Sequence, residues 1–261
     1  MKTCSVTPAE PPLPIAFRDW EDITLARRTA AALERDEVQV WMATTPADAA
    51  NQPTLVGLLS PDERVRADRF RVSEARHQFV FGRAFLRQLV GACLQIAPGT
   101  LAFGCGPRGK PRLVQPSWAG NLRFNLTHSR SLVAITVARG REVGVDIERI
   151  DNFTDWAPLA ALAFSPRELG ELRALAQSQQ RAAFYHGWTR KEAYLKAVGD
   201  GLSDALPTIE VTLAPNQEPQ LLGLPGGPDE ARQWTIRRIP LSPGFAGAVV
   251  FSNTPENSAP V

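Results

Sequence analysis

Gly144-Val145-Asp146-Ile147-Glu148 and, about forty residues on, Trp188-Thr189-Arg190-Lys191-Glu192-Ala193-Tyr194-Leu195-Lys196 are the two stretches on which the reading of this chain turns. The first alternates apolar and acidic residues with the period of a strand. Its two carboxylates therefore share one face, about 7 Å apart along the chain. The second has helical spacing. With Trp188 as origin, Phe184, Leu195 and Val198 fall within ~80° on one side, and Glu192 and Lys196 lie at ~40° and ~80° on the other. The two charged groups thus sit at the margin of the buried face.

Each stretch has an ordinary reading and a chemical one. Acidic pairs are common on solvated strand faces, but such a pair also suits Mg2+, which takes one or two carboxylates and completes its shell with water and substrate phosphate. Glu192 and Lys196 make an i,i+4 surface pair worth about 0.2–0.5 kcal/mol. That accounts for two residues and leaves the aromatic beside them unexplained.

Working outward, the pattern around these stretches occurs twice. Val143 and Val145 match Val38 and Val40; Ser165, Pro166 and Glu168 match Ser60, Pro61 and Glu63; Phe184 and Gly187 match Phe79 and Gly82. Every pair stands 105 positions apart (143 − 38, 165 − 60, 187 − 82). A constant offset predicts two related α+β halves. In that register Arg87 corresponds to Glu192, so a basic helix face and an acidic one occupy equivalent places, with a cleft between them suited to a small ligand.

The first half reads as a strand at Val38–Met42, then a helix to about Phe70 started by Ser60 as N-cap with Pro61 and two acids behind it. An apolar helix over Ser73–Cys93 follows. Arg76, Arg83 and Arg87 fall within ~40° of one another on it. This stripe needs an anion: protein carboxylates, solvent reached by snorkelling, or a ligand phosphate. Strands are expected at Leu122–Leu126, Leu132–Ala138, Trp234–Ile239 and Phe245–Phe251. Residues 1–19, with Pro8, Pro11, Pro12 and Pro14, read as a loosely ordered extension, and Arg18–Glu34 as a short amphipathic helix. The expected division is 1–36 extension, 37–140 and 141–253 the two halves, and 254–261 a tail.

Composition sets the outer bounds. The 261 residues are 44% apolar and 21% charged, ordinary for a soluble globular protein. A net charge of +2 is too small to argue for nucleic acid as the main partner, and none is expected. Cys4, Cys93 and Cys105 are an odd number without a C-x-x-C pair, which fits reduced thiols in the cytoplasm. No membrane span or signal peptide is readable.

Two further stretches add donors. Pro107-Arg108-Gly109-Lys110-Pro111 sets Lys110 in a stiffened loop, and Phe124-Asn125-Leu126-Thr127-His128-Ser129 ends a strand with a run of hydrogen-bonding groups. Either alone is an ordinary feature. Together they add a cation and several donors to a site for a polyanion.

In order, G-K-P (Gly109–Pro111), F-N-x-T-H-S (Phe124–Ser129), G-V-D-x-E (Gly144–Glu148) and W-x-x-K-E-A-x-x-K (Trp188–Lys196) resemble the 4'-phosphopantetheinyl transferases of the surfactin-synthetase-activating type, over roughly residues 37–253. The resemblance implies two similar α+β halves related by pseudo-two-fold symmetry, with coenzyme A bound in the cleft between them. It implies Mg2+-dependent transfer of the phosphopantetheine arm to a serine of an apo acyl, peptidyl or aryl carrier protein, releasing adenosine 3',5'-bisphosphate. Asp146 and Glu148 are then metal ligands, with Glu192 as third ligand, general base or both. Lys110, Thr127, His128 and Lys196 become phosphate contacts, with His128 and Lys196 nearest the chemistry. Arg76, Arg83 and Arg87, with Arg66 or Arg69 from the preceding helix, become candidates for the coenzyme's 3'-phosphate, for pairing across the halves, or for an acidic carrier. A cytoplasmic monomer is expected, its carrier belonging to peptide, polyketide or fatty-acid synthesis. Two rivals stand beside this reading. A metal-dependent phosphohydrolase would cleave coenzyme A without a carrier. A non-catalytic coenzyme A-binding module would not need the three carboxylates.

Overall fold

A computed structural model describes residues 15–19, 33, 37–106, 109–152, 155–199 and 205–254. Two sheets carry most of the strands. The first runs in the order β1-β2-β6-β5, from Ile15–Asp19 (β1), Val38–Thr44 (β2), Leu122–Ser129 (β5) and Leu132–Arg139 (β6). The second runs β10-β11-β7, from Val143–Arg149 (β7), Trp234–Arg238 (β10) and Phe245–Ser252 (β11). Short antiparallel pairs form from Ala102–Cys105 (β3) with Pro111–Gln115 (β4), and from Glu210–Val211 (β8) with Leu221–Gly223 (β9). The helices are Pro53–Leu58 (α1), Pro61–Asp68 (α2), Ser73–Leu94 (α3), Trp156–Ala163 (α4), Pro166–Ala174 (α5), Gln177–Val198 (α6) and Pro228–Ala231 (α7). The class is α+β, as expected. No helix among the described residues is long and apolar enough to cross a membrane.

The layers follow from which face each strand makes apolar. On the outside of the first sheet, Phe81, Phe85 and Leu89 of α3 pack against Trp41, Phe124 and Ile135. On the outside of the second, Phe184 and Leu195 of α6 join Ile236, Ala248 and Val250. The inner faces meet each other: Val38, Val40 and Ala134 lie in one cluster with Val145, Ile147 and Val249. The stacking is helix, sheet, sheet, helix. At about 1.5–3 kcal/mol per fully buried large apolar side chain, the shared middle layer is a principal bond between the sheets. The chain crosses from one to the other at the turn after β6, where Gly140 adopts φ +63 at little steric cost.

The helices α2 and α5 start alike. Ser60 Oγ accepts from Glu63 N at 3.3 Å and Glu63 Oε2 from Ser60 N at 2.9 Å; the corresponding bonds at Ser165 and Glu168 are 3.3 and 2.8 Å. Both are capping boxes with proline in the first turn. Each capping glutamate also anchors the next long helix. Glu63 takes Arg83 and Arg87 of α3, each at 2.6 Å, and Glu168 takes Lys191 of α6 at 2.6 Å. The two long helices are 22 residues each.

Ile15–Asp19 differs from the expected loose extension. It pairs in parallel with β2, from Ile15 opposite Val38 to Asp19 opposite Met42, and Ile15 and Phe17 pack on the middle layer. The prolines just before it masked a short alternation, Ile15-Ala16-Phe17. Residues 1–14 and, beyond Asp19 and apart from Leu33, the helix expected over Arg18–Glu34 lie outside the described residues, as does the tail after Thr254.

Candidate active site

The strands β5 and β7 are edges of different sheets and lie side by side, joined by side chains. Period-two alternation turns Asn125, Thr127 and Ser129 toward β7. Asn125 Oδ1 accepts from Val145 N at 3.1 Å. Thr127 Oγ1 donates to Asp146 Oδ1 at 3.1 Å. Ser129 Oγ donates to Glu148 Oε2 at 2.9 Å and accepts from Arg149 N at 3.0 Å. This seam places both carboxylates of the G-V-D-x-E run beside the polar end of the F-N-x-T-H-S run.

The helix α6 completes the site because β7 carries a glycine where they cross. A Cβ on Gly144 would stand 2.1 Å from Ala193 O and 2.3 Å from Ala197 N, so backbone rests on backbone. At that range Glu192 and Lys196, on the face turned to β7, reach the acids. Lys196 Nζ donates to Asp146 Oδ1 at 2.6 Å and to Thr127 Oγ1 at 3.2 Å. Its side chain keeps 29% exposure against 5% for Asp146, so the ammonium is reachable from solvent while the carboxylate is not.

Burial raises all three acids, and Asp146 adds to the rise of the other two. Burial, then the neighbouring Asp146, pushes Glu192 up to about 7, with Glu148 adding to the rise and Lys196 opposing it. Burial raises Asp146 as well, against Lys196 and Thr127, and Glu148 is raised by burial and by Asp146. Asp146 Oδ2 and Glu192 Oε1 are buried without a hydrogen-bond partner. Among the described residues no three acidic, histidine or cysteine side chains form a ready metal cage. Lys196 is the cation that Asp146 holds. His128, exposed just beyond Thr127, is lowered by desolvation and by Lys196, against Asp146, which favours neutral imidazole at pH 7.

The remaining expected residues are scattered more widely. Lys110 Nζ donates to Glu142 Oε2 at 2.5 Å and to Ala197 O at 2.7 Å. Arg66 stacks over Phe79 at 5.2 Å and, with Arg83, lines a cavity of about 470 Å³ that also includes Phe103 and Gly109. The anion that the arginine stripe required is protein: Glu63 holds Arg83 and the buried Arg87, and Asp68 holds Arg76 at 3.0 Å. Lys191, the first lysine of the W-x-x-K-E-A-x-x-K run, is fully buried on Glu168 and belongs to the core. Sequence reasoning counted Asn125 and Ser129 only among the donors of their run and not as partners of β7, and it gave no role to Glu142 or Gly144. For the first two the signal was there, in polar residues spaced by two along a strand.

The comparisons agree with this geometry. The profile of the 4'-phosphopantetheinyl transferase superfamily matches residues 142–250, and that of the 4'-phosphopantetheinyl transferase N-terminal region matches 45–139. The two matches abut at the turn between the sheets. The 4'-phosphopantetheinyl transferase HetI of Nostoc is 38% identical over 190 residues, 73% of this chain and 80% of that protein. A phosphopantetheinyl transferase of Thraustochytrium is 30% identical over 214 residues, 77% of this chain and 73% of its own. The 4'-phosphopantetheinyl transferase Sfp of Bacillus subtilis is 27% identical over 205, 78% and 87%. A solved holo-(acyl-carrier-protein) synthase from Bacillus anthracis in complex with CoA matches 42% of this chain and 94% of its own, at 22% identity and a TM-score of 0.34, too slight a likeness to carry weight. On the sequence matches, the chain belongs to the 4'-phosphopantetheinyl transferase superfamily and is an enzyme of that class.

Proposed function

We propose that this enzyme moves the 4'-phosphopantetheine arm of coenzyme A onto a serine hydroxyl of an apo carrier protein, with Mg2+, at the seam between two α+β halves related by a pseudo-two-fold. The observation that carries it is the crossing of α6 over β7 at Gly144, which gathers Asp146, Glu148, Glu192 and Lys196 beside Thr127. Paired capping boxes, paired 22-residue helices and the 105-residue offset support the two-halves reading.

The donor set fits Mg2+. Buried, unpartnered oxygens on Asp146 and Glu192, and carboxyls raised by burial and, for Glu148 and Glu192, by Asp146, describe a place short of positive charge, and all three ligands are hard oxygens. Asp146, Glu148 and Glu192 would hold the ion. When bound it supplies charge neutralisation for the pyrophosphate.

The chain's own residues do the rest. The serine oxygen forms a bond to the phosphorus nearer the pantetheine arm, and the bond from that phosphorus to the leaving adenosine 3',5'-bisphosphate breaks. A serine hydroxyl is a weak nucleophile until deprotonated. Glu192, held near neutrality by burial and then by Asp146, takes the proton. Lys196, partly exposed, swings from Asp146 to the phosphates and offsets the charge that gathers on the leaving group. Neutral His128 and Thr127 donate hydrogen bonds to the same oxygens. Both halves lie in one chain, so a monomer suffices, and the free Cys93 and Cys105 suit a reducing cytoplasm.

The test is incubation with coenzyme A, Mg2+ and a panel of apo carrier proteins, followed by mass spectrometry of each carrier. A carrier heavier by one phosphopantetheine group is expected. No gain on any carrier overturns the proposal, and bisphosphate released equally fast without carrier makes the protein a phosphohydrolase.

A further inference from the structure

We infer that Lys110 is a positioning residue that latches the C-terminal end of α6, with Glu142 as its partner, rather than a contact for coenzyme phosphate. Its ammonium donates to Ala197 O at 2.7 Å, a last-turn carbonyl that has no acceptor role left within the helix. A cation at that end is favoured by the helix macrodipole. Glu142 Oε2 takes the same ammonium at 2.5 Å while its Oε1 takes Arg123 Nε at 2.7 Å.

Glu142 is itself fixed. Its N–H donates to Ser252 Oγ at 3.1 Å, and its carbonyl accepts from Ser252 N at 3.0 Å. The latch therefore ties the loop before β4 and the start of β7 to the last turn of α6. Ala197 is also one of the residues whose backbone rests on Gly144. The end of α6 is held from below by glycine and from beyond by Lys110, and Lys196 stands one residue away. A phosphate approaching Lys110 would meet the Glu142 carboxylate at hydrogen-bond range of the same ammonium. That charge repels it.

The inference rests on the transferase reading only for its rate measurement. Lys110→Gln, Lys110→Arg and Glu142→Gln are compared with the parent in three ways: amide hydrogen exchange along α6, calorimetric affinity for coenzyme A, and kcat on an apo carrier. Thermal melting of each variant verifies that it folds. Lys110→Gln and Glu142→Gln should each speed exchange over the last turn of α6 by about tenfold and change the coenzyme Kd by less than about twofold. The kcat of both should fall by roughly tenfold to a hundredfold, as for a misplacement of about 1 Å. Lys110→Arg should recover most of the rate.

A Lys110→Gln protein that binds coenzyme A about tenfold more weakly with α6 exchange unchanged overturns the latch in favour of phosphate contact. So does tighter coenzyme binding by Glu142→Gln, or faster exchange spread evenly over the chain. If the parent transfers nothing to any carrier, the transferase reading fails, while exchange and affinity still decide the latch.

Discussion

Lys191 and Lys196 belong to one motif on one helix, yet their surroundings set them apart. Lys191 is fully buried and donates to Glu168 at 2.6 Å, Ala163 O at 2.8 Å and Leu206 O at 3.0 Å. Lys191→Ala strands the Glu168 carboxylate in the core, and urea denaturation should show a loss of about 3–5 kcal/mol. Lys196→Ala should cost far less, because Asp146, already raised by burial, can take up a proton. Transfer by that variant should nonetheless fall about 100-fold. Glu192 adds a pH test. Its folded pKa of about 7 lies above the ordinary 4.5, so its contribution to stability is full below 4.5 and is lost as pH rises through 7. In chelator-treated protein, Glu192→Gln should melt with the parent near pH 4.5 and above it at pH 8. These acids and Lys196 were legible in the sequence because spacing within one strand or helix is covalent. Glu142 was not, since its partners Lys110 and Ala197 come from distant parts of the chain.

At the scale of elements, the crossing of α6 and β7 is the vulnerable joint. Gly144→Ala drives a Cβ to within 2.1 Å of Ala193 O, and a carbonyl in mid-helix cannot turn aside. The helix must lift, which should cost about 1–3 kcal/mol in denaturant midpoints and abolish transfer. Gly170→Ala, in α5 with nothing within 4 Å, should instead stabilise by about 0.5–1 kcal/mol. The core strands and α3 follow periodicity and match their expected positions closely, while α6 extends well before the Trp188–Lys196 stretch in which its spacing was read. The strand β5 runs on to Ser129 rather than stopping at Leu126. What its polar end pairs with is settled only once β7 is known to lie beside it. Likewise, the arginines of α3 announced an anion, but only packing shows that it is Glu63 for Arg83 and Arg87 and Asp68 for Arg76.

For the whole molecule, the layered arrangement could not be read from periodicity alone, because a strand's pattern says that a face is buried and not against what. The middle layer, with Val40 and Val145 in one cluster, had to be found in space. Where that layer ends, the side-chain seam of β5 and β7 begins, and its members Thr127, Asp146 and Glu148 are also the proposed ligand groups. Anything bound across the seam is then a removable cross-link between the sheets. At a hundred times its Kd such a ligand adds about 2.7 kcal/mol, so melting with coenzyme A and Mg2+ together should be raised beyond the sum of each alone. Supply of coenzyme would in that way govern the lifetime of the folded enzyme as well as its turnover.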